Sequence, residues 1–233
     1  MSYGVFDPRA GPWAPGSILR DLALLLVGWV LGIVSSPVTD AIRRRSAKQR
    51  LTRALRTELR SLQDTLAWAV VQIDRRRGVL THSLLEVLMS TLQASGQVPG
   101  QGKALKAIEG LLQLDELAPT ANLAPDPTPP RAPLSLRVFG VPFLDTHIHR
   151  LDLYALDTQR QLVEIHTGLA IYNQHADEAT HYHQLSFAEG LAKDRLDALT
   201  LNLETSYQRA GERASDLVSR IAVLLQEAEM KNA

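Results

Sequence analysis

The chain contains no cysteine, which excludes disulfides, thiolate chemistry and cysteine-based zinc sites and leaves redox usage silent about the compartment. Aromatic residues are scarce, 5% against 45% hydrophobic, and Leu, Ala, Arg, Gln and Glu fill the stretches between glycines and prolines, a bias towards helix over sheet. Net charge is absent too. With 25 basic and 25 acidic side chains, no overall field draws the chain to nucleic acid or to an acidic substrate. Nor is there a phosphate cradle, a dinucleotide fingerprint or a nucleophile elbow. Gly96, Gly100, Gly102 and Gly110 stand without the strand, lysine or serine that such motifs need. What remains, 233 residues, suits one core plus a tether.

The tether is legible near the amino end. Residues 22–39, LALLLVGWVLGIVSSPVT, carry no charge and as a helix reach about 27 Å, near one hydrocarbon thickness. Arg9 and Arg20 before the run are offset by Asp7 and Asp21, whereas Arg43, Arg44, Arg45, Lys48 and Arg50 follow it directly. The basic excess is therefore on the wrong side for a cleaved signal, and positive-inside logic puts the carboxyl-terminal part in the cytoplasm. The same five cations are expected to rest on anionic lipid headgroups. Gly28 and Gly32 form a GxxxG pair, a candidate dimer face within the span. Pro37 predicts a kink or break where the chain leaves the membrane. Trp13 fits the outer interface.

Beyond the cations, Leu51, Leu55, Leu59, Leu62, Leu66, Ala69 and Ile73 recur at three- and four-residue steps, the mark of a helix with one buried stripe that ends near Gly78. Ser83 and Glu86 read as a capping box for a short helix to about Ala94, and Lys103 opens another to about Leu117. Six prolines between Pro119 and Pro133 predict a stiff spacer. From Leu144 to His183 apolar positions alternate steps of three and four in one phase. Ser186 and Glu189 read as a second capping box, and the last helix carries Leu196, Leu203, Tyr207, Ala214, Leu217 and Leu224 with one stutter after Leu203. The organisation expected is all-α: an outer tail over 1–17, a transmembrane anchor over 18–42, a helical segment over 43–118, a Pro-rich linker over 119–142, and a long antiparallel coiled-coil-like hairpin over 143–233 that packs on the first long helix as a bundle.

Two short motifs carry metal chemistry elsewhere. LDTHIH, which contains His147 and His149, resembles the first-strand metal-binding motif of the TatD and amidohydrolase families, whose paired histidines share a divalent metal; the resemblance implies a barrel-borne hydrolase. Only 84 residues follow His149, too few for a barrel that needs roughly 200 or more. In the helical phase set by Leu144, Ile148 and Leu151 the two histidines project about 200° apart. Glu178 and His181 form a Glu-x-x-His unit like those of di-iron centres in ferritin-like bundles, among His166, His175 and His183, but no second unit exists. These patterns predict a single-pass interaction or scaffold protein without catalysis, cofactor, nucleic acid or small-molecule substrate. Its expected partners are the bilayer and a second copy or a partner helix. The alternatives are a transmembrane signalling component and a hydrolase using His147 and His149. Twenty arginines against five lysines suit a GC-rich bacterial genome and hence a bacterial inner membrane.

Overall fold

A computed structural model describes residues 15–96, 102–117, 134, 136–188 and 192–230, with the side chains at 15–21, 30–38, 40–41, 114–117 and 228–230 outside the description. All elements among the described residues are helices, and none is a strand. They are α1 (Pro15–Arg77), α2 (His82–Ala94), α3 (Lys103–Leu117), α4 (Pro142–His147), a 3-10 turn (Ile148–Leu153), α5 (Leu156–Leu185) and α6 (Lys193–Met230). The chain divides into two compact units, one up to Thr52 and one from Arg53 onward, and α1 contributes to both. Among the described residues no helix is long and apolar enough to cross a membrane.

In the second unit the core is built by apolar stripes at helical spacing. Leu55, Leu59, Leu62, Leu66, Val70 and Ile73 of α1 are buried with Leu162, Ile165, Leu169 and Tyr172 of α5 and Ala210, Ala214, Leu217 and Ile221 of α6. Cross-helix pairs fix the directions. Arg220 reaches Glu164 at 2.8 Å while Leu217 packs on Gly168, so α5 and α6 are antiparallel. Gln63 Nε2 donates to the Val218 carbonyl at 3.0 Å while Arg76 meets Glu204 at 3.5 Å, so α1 and α6 are antiparallel as well. Small residues allow the close approach: a Cβ on Gly168 would stand 2.8 Å from Leu217 Cδ2, and one on Gly211 would stand 3.1 Å from Ile73 Cγ2.

Some helix ends are closed by local caps and others by side chains of a distant helix. The end of α1 is local: Gly78 takes φ 67°, its N–H donates to the Arg75 carbonyl and Val79 N–H to that of Asp74, a Schellman closure that a residue with a Cβ resists. For α2 the cap is Thr81, whose hydroxyl accepts from Leu84 N–H at 3.3 Å. The capping box expected at Ser83 and Glu86 does not form, because Leu80 is buried and sets Thr81 at the helix entry, while Glu86 turns to His82 at 3.4 Å. The α3 terminus is held from α1, where Asp64 Oδ2 and Oδ1 accept from Lys103 and Ala104 N–H, each at 3.1 Å. The α4 terminus is held the same way: Glu58 accepts from Phe143 N–H at 2.8 Å and Leu144 N–H at 3.0 Å. Both carboxylates thus satisfy two orphan amides and sit against a positive helix end.

The approach to α4 is a strap without regular secondary structure, residues 134 and 136–141, anchored by two further side chains. Asn173 of α5 accepts from Phe139 N–H at 2.9 Å and donates to its carbonyl at 2.7 Å, and the Tyr207 hydroxyl of α6 accepts from Leu134 N–H at 3.1 Å. Most of the expected linker, 118–133 and 135, lies outside the described residues.

Three further expectations are corrected. Residues 144–183 are not one helix: α4, the 3-10 turn and α5 are separate, with Tyr154 and Ala155 extended between them. Leu151 stays buried through the 3-10 turn while Ile148 is 44% exposed, so the apolar phase of the sequence is broken by tertiary packing of the turn. Ser186 closes α5, its hydroxyl donating to the His183 carbonyl at 2.7 Å, rather than opening α6, and Glu189 lies outside the described residues. No break occurs at Pro37, since α1 is helical from Pro15 to Arg77; one missing amide is a local loss flanked by unbroken turns on both sides. The outer tail over 1–17 is described only from Pro15.

Glu58→Ala leaves two amides at the α4 terminus without their acceptor and is expected to lower unfolding stability by about 1–2 kcal/mol, read as a lower urea midpoint with an unchanged slope. Ser61→Ala, one turn away on an exposed position, is the control and should change nothing.

Candidate functional site

The surface of the first unit is unlike that of the second. Leu22, Leu24, Leu25, Leu26, Val27 and Trp29 are each more than half exposed, and every described position from 22 to 29 is exposed. Eight successive helical positions cover all sides of the axis, so this is an apolar sleeve rather than an amphipathic stripe. Gly28 lies within it, with nothing inside 4 Å of an added Cβ, whereas the surroundings of Gly32 are outside the description. Arg43, Arg44, Arg45, Lys48 and Arg50 are exposed in turn. At about 100° per residue they too encircle the helix, forming a cationic collar.

The histidines are distributed rather than convergent. His147 ends α4, its Nδ1 lies 2.9 Å from the Phe143 carbonyl, and its ring stacks on Phe143 with centroids 4.2 Å apart. That contact assigns the proton to Nδ1. His149 is exposed on the 3-10 turn. The DTHIH residues therefore lie on a helix end and a 3-10 turn, not on the strand that the hydrolase resemblance implies. Among the described residues no group of three or more His, Asp and Glu side chains is placed to hold a metal ion.

The histidines of α5 serve contacts that sequence spacing did not show. His166 Nε2 lies 2.9 Å from Asp145 Oδ1 and ties α5 to α4, a pairing across 21 residues with no local signature. Glu178 meets His175 at 3.1 Å and Gln174 at 2.9 Å rather than His181, whose ring sits beside Tyr182. Hydrogen bonds from His175 and then Gln174 hold the Glu178 carboxyl below its ordinary range. His183 is half-buried with its ring edge-on to Phe187 at 4.7 Å.

No protein-family model, curated protein or solved structure matches the chain.

Because the folded carboxyl of Glu178 is depressed, its contribution to stability is present above the ordinary value of 4.5 and is lost as pH falls through the lower folded value. The pair lies at the surface, so the effect on stability is small and the titration itself is the sensitive readout. The carboxyl 13C shift of Glu178 is expected to titrate below 4.5 and to move up towards it in His175→Ala. An unchanged midpoint in that variant would contradict the assignment to His175.

Proposed function

We propose that the protein is a single-pass, membrane-anchored helical interaction or scaffold protein of a bacterial inner membrane, with residues 18–42 as the anchor and the second unit on the cytoplasmic side. The observation that carries this reading is the order along α1: an apolar sleeve exposed on every side, then a collar of five exposed cations. In water such a sleeve leaves a large contiguous apolar patch unburied, a cost that a bilayer or a tightly packed partner removes. The described sleeve, positions 22–29, is shorter than a span, and the charge-free run that extends it to Thr39 is supplied by the sequence. The collar suits the anionic cytoplasmic leaflet and fixes orientation. Gly28 and Gly32 offer the face on which two copies can approach, and Gly28 has the room such a contact requires.

Membranes from bacteria expressing the full chain should retain it through alkaline carbonate extraction, and Leu25→Arg with Val27→Arg should release it. Protease added to intact spheroplasts should leave the carboxyl-terminal unit uncut. Recovery of the unaltered chain in the carbonate supernatant would overturn the anchor, and digestion from outside would overturn the orientation.

A further inference from the structure

The second unit contains a recess of about 520 Å³ between α1, the α3 terminus, the strap and α5. Its walls are Trp68, Leu136, Phe139 and Tyr172, and its rim carries Lys103 and Arg137. Phe139 and Tyr172 stack with centroids 5.4 Å apart and planes 10° from parallel, so Phe139 is backed by a fully buried ring and held rigid. That rigidity has a source, since Asn173 grips both polar groups of the Phe139 backbone. The volume lies in the range of small-molecule sites and is too small for a lipid with two long chains.

The charge of the recess is equally defined. Lys103 and Arg137 are exposed, and neither pairs with a carboxylate among the described residues. Asp64 also borders the recess, but both its oxygens accept amides of the α3 terminus, which spreads its charge onto the helix end. The balance at the mouth is positive. Beneath Phe139 the Tyr172 hydroxyl is buried without a hydrogen-bond partner among the described residues.

We propose that this recess binds a small amphipathic anion: one compact apolar body, stacked between Trp68 and Phe139, carrying one carboxylate or sulfonate at the level of Lys103 and Arg137. The apolar body matches the walls, and two unpaired cations at the rim supply charge-assisted donors for a single anionic head. The site is independent of the proposed anchor, because all its residues belong to the second unit.

The test uses the full chain in detergent, with Trp13→Phe and Trp29→Phe so that Trp68 is the only one of the three tryptophans left to report. The probes are 2-naphthoate and its neutral amide, 2-naphthamide, matched in shape. Saturable quenching of Trp68 is expected, with naphthoate favoured over the amide by about tenfold. Lys103→Ala with Arg137→Ala should remove that preference while leaving amide binding unchanged, which also certifies the fold of the variant. Equal binding of the two probes, a preference that survives the double substitution, or no saturable quenching would each overturn the proposal.

Discussion

Four helix or strap backbones in the second unit are satisfied by side chains of distant helices. Glu58 and Asp64 of α1 each accept a pair of amides at the start of α4 and α3. Asn173 of α5 and Tyr207 of α6 take the polar groups of Phe139 and Leu134. A helix start leaves amides that must find acceptors, and in short helices such as α4 no internal bond compensates for one that is missed. The position of α4 on the bundle is therefore inseparable from α1, and so is the aromatic wall that precedes it. Gln63 extends the same principle into the interior: fully buried, it donates to the Val218 carbonyl and accepts from Ser95 Oγ at 2.6 Å, while Arg60 Nε donates to the Ser95 carbonyl at 3.1 Å. A buried amide is tolerated there because its partners come from the other two elements it separates.

That dependence explains which parts of the fold were legible. The buried stripe of α1 from Leu55 to Ile73, the α5 positions Leu162, Ile165, Leu169 and Tyr172, and the α6 positions Tyr207, Ala214 and Leu217 follow from spacing alone, because each apolar residue at a three- or four-step position has one physical use. Caps were read from local pairs and were wrong at Ser83 and Ser186, since the chain offers several hydroxyls near each end and burial of a neighbour, Leu80 in one case, selects among them. The break between α4 and α5 was illegible for a related reason. HRLDLYA contains neither glycine nor proline, and only the placement of Leu151 under the bundle shows that a 3-10 turn serves it better than a continuous helix.

The candidate site divides in the same way. An apolar run and a charge asymmetry are one-dimensional properties, so Arg43 to Arg50 and the sleeve before them were visible as sequence. The recess was not. Trp68, Lys103, Arg137, Phe139 and Tyr172 come from four segments and share no spacing, and each alone reads as an ordinary core or surface residue. The histidines show the converse hazard: DTHIH has the look of a metal motif, yet the His147 proton is already committed to the Phe143 carbonyl and His149 faces solvent.

The two parts of α1 differ in how their apolar residues are distributed around the helix. From Leu55 to Ile73 buried positions alternate with exposed Thr57 and Ser61, so one side meets protein and the other water. Over 22–29 no such division exists, and every side is apolar and exposed. An amphipathic stripe is satisfied by one neighbouring surface, but a sleeve needs an apolar surrounding on all sides. The collar between them is what keeps the sleeve from being read as a misplaced core helix. Five exposed cations spread over most of the helix circumference would hinder a protein partner that enclosed it along its length, whereas under the proposed anchor they would lie at the charged face of the bilayer. Under the proposed anchor, lipid would supply that surrounding for the sleeve, and Gly28, with open space around it, would be the place for a close approach between two copies.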